Sequence, residues 1–389
     1  QKNSLFRNEL EYKFSKRYWH PSLSAYGSYN INFGRRVDQF TNTFSNSIVH
    51  SNSWGASFNM SLFNGLRGKR SVEINHLASL TQKSKIEENK ILLKREVSEI
   101  YFFILEKQIS AEIVNLKIED ISNQLKRNNE LSRLGRSNKL DSLILVNQKI
   151  TEEANLNIIK KDLSKDILNL NRVLSRPLLD TLIAETPIID SIKMNEFIVN
   201  NEIQMYKNEQ LDFQQKSTEL GLKRAKGAYS PSLSLSGSIG TGFSTNNLDY
   251  SVSPNKLIPY GRQLNENLYE SIGLNLNIPI YSKGENKKAI EVAKIEIENS
   301  KIRRENELLN QKKENQIIKF EMAYLVNQKK VLKDQIKRDS EILNLTKELF
   351  EQGRINQFEY ELARNKFYQS KLNLKLIELR TLKVLILFG

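Results

Sequence analysis

The chain has 389 residues, enough for two or three ordinary domains or one elongated one; 39% are hydrophobic and 27% charged. No stretch approaches the roughly 18 uninterrupted apolar residues of a membrane-spanning helix, so any crossing of a bilayer must be made by strands. With 0 cysteines, disulfides, thiolate metal sites and cysteine nucleophiles are excluded. The absence of cysteine fits an oxidising periplasm or cell surface, although cytoplasmic chains also lack it. A formal net charge of +14 invites a nucleic-acid reading. The cations, however, alternate with glutamates along helical stretches, as in Glu87-Glu88-Asn89-Lys90 and Lys301-Ile302-Arg303-Arg304-Glu305. That pattern belongs to a solvated helix face, and no nucleic-acid partner is expected.

In chain order, Leu5 to Arg17 reads as the end of a helix, and Pro21 opens a segment in which Leu23, Ala25, Tyr29, Ile31 and Phe33 alternate with Ser22, Ser24, Ser28, Asn30 and Asn32. The same period of two runs through Trp54-Gly55-Ala56-Ser57-Phe58-Asn59-Met60-Ser61-Leu62. Such alternation over about ten residues suits a membrane β-strand with one face in lipid and the other toward a wet lumen. A soluble antiparallel sheet with one buried face shows the same pattern. Aromatic residues near the strand ends, among them Trp19, Trp54, Phe63, Tyr229, Phe243, Tyr269 and Tyr281, favour the membrane interface.

From about Gly65 to Ser132 no proline interrupts a run rich in Leu, Ile, Glu and Lys. As a helix it would extend roughly 100 Å, a length proper to coiled coils or helical tubes. Gly135 breaks it, where a left-handed cap would let the chain reverse. Asn138 suits the N-cap of a returning helix that runs through Leu143-Ile144-Leu145-Val146 to Val173. Ser175-Arg176-Pro177-Leu178 ends it, a connector follows to about Met194, and Asn195 to Gly227 reads as another amphipathic helix.

The whole plan then recurs. Leu62-Phe63-Asn64-Gly65 aligns with Ile280-Tyr281-Ser282-Lys283, and Gly135-Arg136-Ser137-Asn138 aligns with Gly353-Arg354-Ile355-Asn356, both at an offset of 218 residues. Pro21-Ser22-Leu23-Ser24 aligns with Pro231-Ser232-Leu233-Ser234 at 210, so one strand hairpin differs in length. Leu233, Leu235 and Ile239 alternate with serines, and Ile272, Leu274, Leu276, Ile278 and Ile280 form the partner strand. A second proline-free run from Gly284 to Glu351, a break at Gly353, an N-cap at Asn356 and a helix from Phe358 to Phe388 complete the repeat. The chain is a tandem duplication. Four strands cannot close a barrel, and a bilayer tolerates no open sheet edge. If the strands sit in lipid, several protomers must share one barrel.

Two strands, a long helical hairpin and a duplication of both resemble the TolC-family outer-membrane efflux proteins, with a first hairpin (Asn32-Phe33-Gly34-Arg35-Arg36, Thr41-Asn42-Thr43-Phe44) similar to that of Bacteroidetes members. The resemblance covers nearly the whole chain. It is carried by Ala228-Tyr229-Ser230-Pro231-Ser232-Leu233, by Ile278-Pro279-Ile280-Tyr281 leading into Gly284, and by Phe350-Glu351-Gln352-Gly353-Arg354. It implies a mainly α fold with membrane β: a tandem-duplicated protomer that trimerises into a twelve-stranded β-barrel joined to a long α-helical barrel. On that reading residues 1–20 end a truncated N-terminal helix, and 21–63 and 229–281 are the β-hairpins of the membrane barrel. Residues 64–176 and 282–389 are the periplasmic helical hairpins, 177–194 a connector and 195–228 the helix of the second repeat. The shortness of the first-half helix implies further residues before Gln1.

The resemblance further implies an outer-membrane exit duct reaching into the periplasm. It would conduct passively, meeting a periplasmic adaptor and an inner-membrane pump of RND or ABC type, in efflux or type I secretion. Trp54, Phe58, Tyr229, Leu274, Leu276 and Tyr281 would face lipid or its interface. Acidic residues just after the tip glycines would close the tunnel, and Glu359 falls on one such position; the second is Leu362 here. Asp141 matches the acidic residue that ties the first hairpin to the second. Its usual partner tyrosine is Phe350 and the usual arginine is Ile355, so the tie would run through Arg354 or Arg136. An ordinary solvated carboxylate in the first turn of a helix is the plainer account of Asp141 and Glu359.

No enzyme, cofactor or metal site is expected. His20, His50 and His76 are scattered. Gly237, Gly240 and Gly242 lie inside a strand pattern rather than before a helix. Glu87-Glu88 and Glu152-Glu153 point to different sides of their helices. The alternative to the duct is a soluble or periplasmic coiled-coil scaffold or adaptor, which leaves the four strands and the duplication unexplained.

Overall fold

The computed structural model describes the chain except residues 1, 38–41, 43, 46, 47, 134–138, 186–201, 250, 253 and 389. It divides into two compact units, one of Gln1–Ile86 with Tyr206–Glu305 and one of Glu87–Met205 with Asn306–Gly389.

The first unit begins with α1 (Lys2–Ser15) and contains β1 (Ser22–Asn32), the two-residue strands β2 (Arg36–Val37) and β3 (Phe44–Ser45), and β4 (Val49–Asn64). From the second repeat it takes α4 (Glu202–Lys226) from Tyr206 onward, β5 (Ser232–Ser244), the short β6 (Leu248–Asp249) and β7 (Lys256–Leu257), α5 (Tyr260–Glu266) and β8 (Tyr269–Asn277). The four long strands form one antiparallel sheet in the order β1-β4-β5-β8. The register keeps the two chemical faces apart across all four strands: Leu23, Phe58, Gly237 and Ile272 stand in one row, and Ser24, Ser57, Ser238 and Ser271 in the next. The last strand stops at Asn277, short of the Ile280 expected from the alternation, because Pro279 has no N–H to give a ladder.

Each sheet hairpin hands over to a long helix through two consecutive left-handed residues. These are Gly65 (φ 66°) and Leu66 (φ 61°) in the first repeat, and Lys283 (φ 51°) and Gly284 (φ 83°) in the second. The caps correspond as well. The Gly68 N–H donates to Asn64 Oδ1 at 3.2 Å and the Asn286 N–H to Ser282 Oγ at 3.4 Å, again 218 residues apart. Glycine occupies different members of the two pairs, which is why a motif search aligns the junctions poorly while the backbone repeats.

The long helices are α2 (Arg67–Arg133) and α6 (Glu285–Glu351), 67 residues each, and the returning helices are α3 (Lys139–Val173) and α7 (Gln357–Phe388). Among the described residues no helix is long and apolar enough to cross a membrane. The core of the second unit is a cluster of Ile100, Phe102, Ile104, Leu105, Leu170, Ala184 and Leu379, joined by a smaller group around Met322, Leu325, Val384 and Leu385. Ala184 belongs to the segment after α3 that the sequence reads as connector, so that segment carries part of the core rather than only linking helices.

The two glycine junctions set a test of backbone strain. A Cβ at Gly65 would lie 2.2 Å from the Gly227 carbonyl oxygen, whereas one at Gly284 would meet nothing within 4 Å. Gly284→Ala should therefore cost only the left-handed penalty, about 1–2 kcal/mol. Gly65→Ala adds a backbone clash to the same penalty and should lower the thermal transition of the purified protein much further. Equal losses in circular-dichroism melts would refute the close approach.

Candidate channel face and hairpin site

The sheet presents two unlike surfaces. Its apolar face carries Leu23, Trp54, Phe58, Ile272, Leu274 and Leu276, and Ile272 is 77% exposed. Trp54 lies inside β4, beside Gly27 and Thr241, rather than at a strand end. Tyr229 precedes β5 in a short 3-10 turn and Tyr281 follows β8, both exposed. The opposite face is made of small hydroxyl and amide side chains that bond across strands: Ser24 to Ser57 at 3.0 Å, Ser28 to Ser53 at 2.7 Å, Ser238 to Ser271 at 2.8 Å. One row on this face spans the whole sheet as Tyr26-Gly55-Gly240-Tyr269. The two tyrosines lie over the two glycines and their hydroxyls meet at 3.0 Å. A Cβ at Gly55 or Gly240 would lie 2.7 or 2.6 Å from those hydroxyls, so the bridge requires both glycines.

In the second unit, α6 ends in a left-handed cap at Gly353 (φ 69°). The Arg354 N–H donates to the Leu349 carbonyl at 2.9 Å and the Gly353 N–H to that of Phe350 at 3.0 Å. Asn356 then caps α7, its Oδ1 accepting the Glu359 N–H at 2.9 Å. Glu359 and Arg354 are exposed, and Asp141 is half-buried in the first turn of α3. Among the described residues these three form no ion pair with one another. Gly135, Arg136 and Asn138 lie outside the described residues.

The contacts between α2 and α7 lie deeper, on residues that sequence reasoning missed. Arg364 of α7 is 1% exposed. Its Nη2 bonds to Glu361 and reaches Gln148 at 3.5 Å, while Nη1 lies 3.6 Å from Asp120 of α2. Nε and Nη1 make no hydrogen bond among the described residues. A guanidinium sealed from water with two carboxylates and an incomplete set of acceptors is held by charge, at a high desolvation cost. Gln357 donates to Gln124 at 3.2 Å and to Glu361 at 2.9 Å, so the same seam carries a bridging amide. Tyr360 stacks on Phe350, ring centroids 5.3 Å apart and nearly parallel.

Burial raises the Glu361 carboxyl above its ordinary range, with Arg364 opposing the shift and Asp120 adding to it. The Tyr368 hydroxyl is pushed up to about 12, first by burial and then by the nearby Asp120 charge. Tyr360 moves up for the same leading reason. Within each hairpin a further polar contact repeats at the 218-residue offset: Lys117 to Glu152 at 2.5 Å in the first, Gln335 to Ser370 at 3.1 Å in the second.

Residues 209–384 match the family model described as outer membrane efflux protein. The chain has the fold of the TolC-like efflux channels. The outer membrane protein VceC from Vibrio cholerae superposes with a TM-score of 0.82 over 99% of this chain and 90% of its own, at 10% identity. The outer membrane channel CmeC of Campylobacter jejuni gives 0.80 over 99% and 80%, at 14% identity. The open state of the Neisseria gonorrhoeae channel MtrE gives 0.71 over 99% and 84%, at 15% identity. No curated protein matches in sequence. Within this channel fold the buried Arg364 group sits on the hairpin helices, behind the acidic position at Glu359.

The site makes a pH prediction with a definite sign. Arg364→Met removes the cation that opposes the shift of Glu361, so that carboxyl should titrate higher still. A carboxyl whose folded pKa exceeds its unfolded one adds stability below the unfolded value and loses it as pH rises through the folded value. The Arg364→Met protein should therefore lose thermal stability as pH rises above the ordinary carboxylate range, and lose more of it than wild type. The double variant Arg364→Met/Glu361→Leu should recover most of the loss, since replacing both partners is far less costly than stranding one.

Proposed function

We propose that the chain is one protomer of a trimeric outer-membrane exit duct that conducts solutes passively from a periplasmic adaptor and inner-membrane pump to the outside. The observation that carries this reading is the sheet: four antiparallel strands, unpaired at both edges among the described residues, with one face of exposed Leu, Ile, Phe and Trp and the other of Ser, Asn and Tyr. In water that apolar face is an aggregation surface. In a bilayer it is the lipid face of a barrel closed by further copies, with the hydroxyl face toward a wet lumen. Both edges then find strands, as a bilayer requires. The family match and the fold support the assignment.

Gating lies at the hairpin ends. Three copies of Glu359 around a threefold axis would repel one another and favour cations in the narrowest part of the path. Asp141 and Arg354 flank that position, with Arg136 expected nearby. The buried Arg364-Glu361-Asp120 group serves as the tie that holds the second hairpin against the first in the closed state. Opening exchanges that dry ion pair for water, a transition a docking adaptor can drive through modest contact energy because the pair is poorly satisfied where it stands. The scaffold reading has no use for the exposed apolar sheet face.

Single-channel recording of detergent-purified protein in planar bilayers tests the duct. We expect a small, cation-biased conductance, and Glu359→Ala should reduce the bias. Asp120→Asn, which weakens the tie without touching the tip, should raise the open fraction while leaving the selectivity. Protein that stays monodisperse in plain buffer and never inserts would return the scaffold reading.

A further inference from the structure

The four helix ends that meet the sheet carry a one-sided charge. The last turns of α1 and α4 and the first turns of α2 and α6 come side by side. The Tyr18 ring lies against Gly68, Gly65 lies against Gly227, and Asn286 Nδ2 donates to the Ala228 carbonyl at 3.3 Å. Residues 13–20, 63–72, 220–230 and 279–289 make up this band. They hold twelve Lys and Arg, three from each segment, against one acid, Glu285. The far ends of the same strand hairpins, residues 33–48 and 245–270, hold four charges of each sign. Between the two levels β1, β4 and β5 carry no Asp, Glu, Lys or Arg.

Eleven of the twelve cations are exposed, and among the described residues none of those eleven forms an ion pair; Arg70, bound to Glu73, is the exception. Farther along the same helices cations do find acids, Lys83 with Glu9, Lys294 with Glu291 and Arg304 with Asp212. Helix electrostatics accounts for half of the band. Cations suit the C-terminal ends of α1 and α4, but the six at the start of α2 and α6 stand against the macrodipole, where acids belong. The first turn of α2 has no acid at all.

One part of the band is shaped as a seat. α2, α4 and α6 leave a groove of about 770 Å³, where Arg67, Arg224 and Ser71 stand beside Ala225, Ala289 and Val292. The one acid lining it, Glu296, is engaged by Arg303 at 3.5 Å. Among the described residues Arg67 bonds only to the Asn64 carbonyl, and Arg224 makes no hydrogen bond or ion pair. Phe63, Tyr229 and Tyr281 are exposed at the same level. Guanidinium groups next to apolar surface match a phosphate joined to acyl chains, since Arg takes phosphate oxygens two at a time. Aromatic rings favour the same headgroup depth.

We propose that this band binds the anionic phospholipid headgroups of the leaflet on the helix side of the membrane, with one lipid phosphate seated in the Arg67–Arg224 groove. This rests on the duct proposed above, which puts the sheet in a bilayer. The charge then holds the barrel at a fixed depth and gives its two ends different membrane surfaces, cationic at the helices and neutral at the loops.

Titrating phosphatidylglycerol into the full-length, detergent-purified protein and following its thermal transition tests the band. Phosphatidylglycerol should raise the transition to a plateau, and phosphatidylcholine should not. Arg67→Gln/Arg224→Gln should weaken the apparent affinity roughly tenfold, while Arg35→Gln/Arg262→Gln at the loop ends should leave it unchanged. Lys283→Gln/Lys287→Gln removes two exposed cations that have no bonds to lose, so it should weaken the affinity without touching the fold. The chain has 0 cysteines, so Ala289→Cys can carry a single fluorophore at the groove. In vesicles whose phospholipids bear a spin label on the headgroup, that fluorophore should be quenched. Equal responses to the two lipids, or an unquenched label in vesicles that conduct, overturn the lipid site and leave the duct standing. An equal response to inorganic phosphate overturns it in favour of a free anion. Phosphatidylglycerol binding by protein that never inserts or conducts keeps the headgroup site and removes the duct.

Discussion

Backbone hydrogen bonding at the edges of a four-stranded sheet constrains the rest of this molecule. β1 and β8 each pair on one side only, leaving a row of N–H and C=O groups without strand partners. Soluble proteins blunt such edges with charge, proline or short strands. Here the edge strands carry a single charge, Glu270, among Leu, Ser, Tyr, Asn, Ile, Ala and Gly, which blunts them little. An edge of this kind is stable only when another strand completes it, and in the proposed duct that strand belongs to the next copy. In that duct a shared barrel would bring a shared helical tunnel with it, because each strand hairpin runs directly into a helix of the same chain.

Duplication halves the problem of building such a ring and then creates a new one. Two identical halves would give a ring in which every seam is alike, and a ring of equal seams has no preferred place to open. The sequence breaks that symmetry at most helix positions, three of them in the buried polar group. Glu361 and Arg364 stand where the first repeat has Leu143 and Val146, and Asp120 stands where the second has Arg338. Elsewhere the halves agree down to the backbone: paired left-handed residues at the strand-to-helix junctions, helices of 67 residues, and a cross-hairpin polar contact at equivalent places.

Much of the architecture was legible because its signals are periodic. The two-residue alternation gave the strands, the proline-free runs gave the long helices within two residues of their observed ends, and a constant offset gave the repeat. Asn356 was readable as an N-cap because it follows the break at Gly353, where the returning helix must start, and its Oδ1 does accept the Glu359 N–H. The Arg364 group was not legible. A buried arginine on a helix with charged residues on several faces looks like any solvated cation until the packing partner is known. One signal was available: aligned at 218 residues, two apolar positions become a carboxylate and a guanidinium three residues apart. The two halves differ at most other helix positions as well, so that change stands out only once Asp120 is seen beside Arg364.

The tyrosine bridge shows the same logic in the sheet. Tyr26 and Tyr269 come from the two outermost strands and meet above Gly55 and Gly240, so their contact spans the full width of one protomer's sheet. The outer strands of a four-stranded sheet lie about 14 Å apart, a gap that two phenol side chains laid inward can span. They do so only because Gly55 and Gly240 leave the surface between them empty, since a Cβ at either would strike a tyrosine ring. The bridge therefore ties the first repeat to the second across the hydroxyl face, which in the proposed duct is the face turned to the lumen.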